Sequence, residues 1–175
     1  MKKTLQNKKG FSLVELIIVI AIMAVLIAIL APNYLRYVEK SKRTRALTNT
    51  KNVVDAITIV VTEKQAFNDQ SFQDLYSILV ANQTPNGGQP VVIDFSDPTN
   101  ISDFGMEILS VLGNSSNESY YGKAYFWLSD ASTNTVSYSV EFNDSDYIVD
   151  YNRDVAGADY VYEDGSYKVR YRSDP

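Results

Sequence analysis

Gly10-Phe11-Ser12-Leu13-Val14-Glu15-Leu16-Ile17-Ile18-Val19-Ile20-Ala21-Ile22-Met23-Ala24-Val25-Leu26-Ile27-Ala28-Ile29-Leu30-Ala31-Pro32 is the stretch that decides the fold. From Phe11 to Ala31 the polar side chains are Ser12 and Glu15 alone. As a helix this segment is roughly 32 Å long at about 1.5 Å per residue, enough to cross a hydrocarbon core. Fourteen of its residues are Leu, Ile, Val or Phe. At about −0.4 kcal/mol each they favour insertion by roughly 6 kcal/mol, against about 3 kcal/mol for a carboxylate. Insertion wins, and Glu15 becomes the anomaly. An ionisable group inside a span marks a functional site and needs a partner, yet no basic residue lies between Phe11 and Leu35.

The residues just before the span supply one. Lys2, Lys3, Lys8 and Lys9 form a short basic leader that ends against Gly10. A basic leader before an apolar run has the form of a processing segment, but no Ala-x-Ala-like site follows the run. A cut after Gly10 turns Phe11 into a free α-ammonium four residues from Glu15. That ammonium can meet Glu15 within one helix or between neighbouring helices.

Lys9-Gly10-Phe11-Ser12-Leu13-Val14-Glu15, followed by the apolar run, resembles the class III signal of type IV prepilins. Pro32, Tyr34 and Tyr37 are similar to the Pro-x-Tyr-x-x-Tyr pattern of type IVa pilins. The resemblance is close over residues 8–40 and one of architecture beyond them. It implies cleavage between Gly10 and Phe11 by a membrane prepilin peptidase, N-methylation of Phe11 by the same enzyme, and a filament-assembly role for Glu15 on a neighbouring subunit's N-terminus. It implies a leader in the cytoplasm, a single-pass membrane protein before assembly, and an extracellular fibre afterwards. The implied partners are further copies of the chain, the peptidase, and the inner-membrane platform protein with its assembly ATPase. The implied roles are surface adhesion, aggregation, biofilm formation and, where a retraction motor exists, twitching motility. A minor pilin or pseudopilin of a secretion or DNA-uptake system carries the same signal and is the alternative; a membrane-anchored extracellular enzyme is the remote one.

Composition narrows the choice. The chain has 175 residues and a net charge of −5, which becomes −9 without the four leader lysines. So acidic a protein is poorly suited to binding nucleic acid through a broad basic surface. It has no Cys and no His, so disulfide staples, thiol and Ser-His chemistry and the common zinc ligands are missing. No enzymatic activity and no cofactor are expected. The missing Cys departs from the many Gram-negative pilins that close a C-terminal loop with a disulfide and is more like Gram-positive pilins. Asp144, Asp146, Asp150 and Asp154 supply oxygen donors of the kind calcium prefers, but their spacing fits no standard calcium loop and a solvated acidic loop explains them. Lysines before the span are balanced by Arg36, Lys40, Lys42, Arg43 and Arg45 after it, so charge does not fix orientation.

The domain plan follows from periodicity: leader 1–10, span 11–31, amphipathic continuation 32–66, connecting region 67–119, sheet 120–175. Ala21, Ala24, Ala28 and Ala31 place small residues on the face opposite Glu15, where helices can approach closely. Pro32 predicts a kink near 28–32. Ala46, Thr50, Val53, Val54, Ile57 and Val61 repeat at helical spacing, so the helix continues to about residue 66 with one face for a domain. The basic residues from Arg36 to Lys51 read as a solvated surface, or as partners for acidic heads of neighbouring subunits.

Beyond the helix, Ser71 with Asp74 predicts the start of a short helix that Asn86-Gly87-Gly88 breaks. Val91–Phe95 reads as a strand, and Asp103–Leu112 as a helix stopped by Gly113. Lys123–Leu128 and Thr135–Phe142 read as strands about a turn at Asp130–Asn134, Tyr147–Tyr151 as a weaker strand, and Asp164-Gly165 as a hairpin turn. Ten of thirteen tyrosines lie from Tyr120 onward. The expected fold is α+β: a pilin-like long helix with an antiparallel sheet of four or five strands on its C-terminal half.

Overall fold

A computed structural model describes residues 10–83, 88–97, 101–113, 122–130, 135–144 and 146–172. Helix α1 spans Leu13–Ala66, 54 residues, and runs on continuously through Pro32. The chain divides after Ser41 into an N-terminal unit and a second unit that begins at Lys42. In the first, every described residue of the apolar run is exposed. The helix is long and apolar enough to cross a membrane. Its apolar face needs lipid or other helices, because water is the wrong solvent for it.

The second unit is the head. Its order is the end of α1, α2 (Gln70–Ala81), β1 (Val91–Asp94), α3 (Asp103–Val111), β2 (Gly122–Asp130), β3 (Thr135–Asn143), β4 (Tyr147–Tyr151), β5 (Tyr160–Asp164) and β6 (Tyr167–Tyr171). Six antiparallel strands form one sheet in the order β1-β2-β3-β4-β6-β5. That is one or two strands more than the sequence predicted. The short strand β1, in the connecting region, joins the sheet edge beside β2 with Val91 opposite Phe126.

The predicted stripe on α1 is buried: Ala46, Thr50, Val53, Val54, Ile57 and Val61, with Leu47, Ala56 and Val60 added. Val53, Val54, Ile57, Val60 and Val61 share a core with Phe72, Leu75 and Leu79 of α2, Phe104 and Ile108 of α3, and Ala124, Phe126, Val140 and Phe142 of the sheet. Phe104 is the hub, with ring centroids 6.2 Å from Phe72 and 5.7 Å edge-on from Phe126. A second cluster joins Ala46 and Leu47 to Tyr147, Val149 and Val169.

Several boundaries differ from expectation for local reasons. Helix α2 is capped by Asp69, whose side chain accepts from the Ser71 N–H at 2.9 Å and the Ser71 hydroxyl at 2.7 Å. These bonds hold the Asp69 carboxyl below the usual carboxylate range. Asp74 is not a capping partner, since it accepts from Gln70 Nε2 at 2.8 Å. Asn82 closes this helix, and most of the predicted Asn86-Gly87-Gly88 breaker lies outside the described residues, as do Asn114–Ser119 and most of the Asp130–Asn134 turn. Gly113 follows α3 with φ 77°, and Gly165 opens the β5–β6 turn with φ 60°. Both are left-handed values that glycine adopts without strain.

Gly105 has a different reason to be glycine. A Cβ there meets Ile101 Cγ2 at 2.6 Å and Ile93 Cγ2 at 2.9 Å, so the absent side chain lets α3 close onto β1. Gly105→Ala should therefore lower head stability by about 1–3 kcal/mol through overpacking, despite Ala's better helix propensity of about 1 kcal/mol. A denaturation midpoint unchanged or raised would refute that packing argument.

Candidate functional site

The groups singled out in the sequence sit at the start of α1. Gly10 and Phe11 lie outside the helix, and Phe11 is 92% exposed. An added Cβ at Gly10 meets no atom within 4 Å among the described residues.

Glu15 is tied to its own chain. Its Oε2 accepts from the backbone N–H of Ser12 at 2.9 Å. Ser12 Oγ in turn accepts from the Val14 N–H at 3.4 Å, and the Ser12 carbonyl accepts from Leu16 N–H at 3.2 Å. This is a variant of the capping box: Glu15, three residues on, reaches back to the Ser12 N–H, while Ser12 at the N-cap takes the N–H of the second helical residue, Val14. The sequence reading missed it, although Ser-x-x-Glu directly before an apolar run is its signature. The carboxylate is thus held one residue from the point where a cut would place a new ammonium.

Pro32 lies inside the continuous helix. One turn further on, Leu30, Asn33, Tyr34, Tyr37, Val38 and Ser41 line a shallow, largely apolar groove on α1.

In the head, the basic residues that continue the helix meet acids of the same chain. Lys42 Nζ is 2.7 Å from Asp146, Arg45 is 3.1 Å from Asp144 and Lys51 is 3.0 Å from Asp164. Arg43 lies 4.6 Å over the Tyr162 ring. The four carboxylates considered for calcium face cations too: Asp150 bonds Arg170 Nε at 2.8 Å, and Asp154 pairs with Lys168. Among the described residues no group of acidic side chains is gathered to hold a metal ion. Exposed pairs of this kind contribute about 0–1 kcal/mol each, so they set the register of helix on sheet more than they stabilise it.

Asp150 is the exception. It is fully buried on β4, and Arg170, which holds it, also reaches Glu141 at 3.3 Å. Arg153 pairs with the same Glu141 and stacks 4.3 Å over Tyr125. The Ser139 and Glu141 face of β3 is therefore partly covered, which is why Ser139, opposite Tyr125, is buried.

Residues 5–31 match the prokaryotic N-terminal methylation motif. The type IV major fimbrial protein FimA of Dichelobacter nodosus is 32% identical over 144 residues, 73% of this chain and 84% of that one. The chain belongs to the type IV pilin family. The type IV major alpha-pilin of Moraxella bovis is likewise 32% identical, over 63% of this chain and 72% of that pilin. The type IV major pilin PilA of Myxococcus xanthus is 39% identical over a shorter stretch, 36% of this chain and 29% of that protein. No solved structure gives a significant match. This pilin is a structural pilus subunit, and its relatives are structural proteins. Its apolar helix fits membrane anchoring before the extracellular pilus.

Proposed function

We propose that this pilin is cut between Gly10 and Phe11, methylated on Phe11, and polymerised through Glu15 into fibres that attach cells to surfaces and to one another. The observation that carries the reading is the position of Glu15. It stands in the first turn of a helix whose N-terminal apolar run, residues 11–31, is exposed throughout, next to the bond whose cleavage makes a cation. In lipid or in a filament core the two charges strengthen each other, because the local dielectric is low.

The leader faces the cytoplasm and the head faces outward, so the peptidase meets the scissile bond at the inner membrane surface. That an added Cβ at Gly10 meets no atom within 4 Å among the described residues fits a glycine kept for a peptidase pocket that admits no side chain at that place. The assembly ATPase and platform protein extract the helix, and other copies replace lipid around it. Pro32 removes one helical hydrogen bond and gives the helix a point at which to bend during packing. Adhesion, aggregation and biofilm formation belong to the exposed heads, and twitching belongs to cells with a retraction motor.

N-terminal mass spectrometry of sheared surface fibres tests the reading. A chain that begins with methylated Phe11 supports it. A chain that begins at Met1 and stays in the membrane fraction ends it.

A further inference from the structure

An α-helix advances by giving each N–H to the carbonyl four residues earlier. One turn upstream of Leu13, the Val14 N–H would go to the Gly10 carbonyl, and the Ser12 N–H to the Lys8 carbonyl. In the structure both donors are diverted: Val14 N–H points to Ser12 Oγ, and Ser12 N–H to Glu15 Oε2. The helix starts at Leu13, and Gly10 and Phe11 stay outside it.

We infer that Ser12 is a positioning residue for leader removal: its cap stops α1 short of Phe11 and leaves the Gly10 carbonyl without a helical donor, ready to be attacked. The inference rests on the reading that the leader is cut at this bond. Hydrolysis adds water across the Gly10–Phe11 peptide, leaving a carboxylate on Gly10 and the amine on Phe11. A peptidase takes its substrate as an extended strand, with main-chain groups free to pair with the enzyme. A helix that ran through Gly10 would engage the scissile carbonyl and withdraw those groups. Gly10 itself disfavours helix, and the cap at Ser12 adds a second stop. Glu15 thereby has a task before cleavage as well as after it. The same carboxylate that fixes the helix start is already in place when the ammonium appears.

The test uses full-length precursor in detergent micelles with a membrane preparation of prepilin peptidase. Ser12→Ala should slow cleavage about fivefold, and the Gly10 and Phe11 Cα chemical shifts should move toward helical values. Ser12→Asn, which restores a cap with a different side chain, should return both to wild type. Glu15→Gln keeps the box and should be cleaved at the normal rate, whereas Glu15→Leu should be slowed like Ser12→Ala. Wild-type cleavage of Ser12→Ala overturns the inference. So does slow cleavage that Asn fails to rescue, or that comes with unchanged shifts, since the peptidase would then be reading the hydroxyl itself. Wild-type precursor cut at another bond overturns the processing reading instead.

Discussion

Glu15→Gln is expected to abolish surface fibres while the leader is still removed. Glutamine keeps the shape and the acceptor oxygen, so it can accept from Ser12 N–H as glutamate does at 2.9 Å. It loses only the charge. In a water-poor core, an ammonium stripped of its carboxylate costs about 2–5 kcal/mol. At about 3 kcal/mol per contact, each subunit's association weakens on the order of a hundredfold. A polymer repeats that loss at every joint, so growth stops rather than slows. Fibres counted by electron microscopy and the N-terminal mass of the membrane-bound chain read the two steps separately. Fibres of normal number and length would remove the carboxylate–ammonium contact from the assembly mechanism.

Arg170→Met should destabilise the head by about 3–5 kcal/mol, out of a total of about 5–15 kcal/mol for a domain. Strand β4 lies between β3 and β6, and Asp150 on it is fully buried. Its Oδ2 is held by Arg170 Nε at 2.8 Å, and its Oδ1 has no hydrogen-bond partner among the described residues. Without the guanidinium, the buried carboxylate loses its hydrogen-bonded cation and keeps only the more distant charge of Arg153. Burial pushes the Asp150 carboxyl above the ordinary value of 3.8 and the Arg170 contact offsets only part of that. The folded pKa therefore exceeds the unfolded one. The stability linked to this group is fully present below 3.8 and is lost as pH rises through the folded value. Loss of Arg170 raises the folded pKa further, so the variant's penalty should be small in acid and grow toward neutral pH. Denaturation of the full chain in detergent at several pH values measures this. Asp150→Asn combined with Arg170→Met should recover most of the loss and remove the pH slope. A penalty that does not vary with pH would show that Arg170 acts through packing of its stem instead.

Both predictions begin from charges that look alike in the sequence. Glu15 announces itself, because a single carboxylate in a 21-residue apolar run has no ordinary explanation. Its hydrogen bond to Ser12 was equally local and legible, because the Ser-x-x-Glu spacing before an apolar run carries it. Asp150 is different. It stands among Asp144, Asp146 and Asp154 with nothing to separate it, and strand pairing alone buries it while leaving Asp154 exposed. The basic run from Lys42 to Lys51 was likewise readable as a charged helix face, but its partners lie about a hundred residues away, between β3 and β4 and at the end of β5.

The sequence by itself determined the apolar span, the length of α1, the buried stripe from Ala46 to Val61 and most strand positions, because these rest on hydropathy and on periods of 3.6 and 2 that neighbouring residues carry. Only the tertiary structure decided that β1 completes the sheet, that β4 lies inside it, and that Asp150 rather than its neighbours is buried against Arg170. Those choices depend on which distant strands pair and on how α3 closes onto β1 at Gly105, and they are settled by packing and by burial of charge rather than by any local pattern.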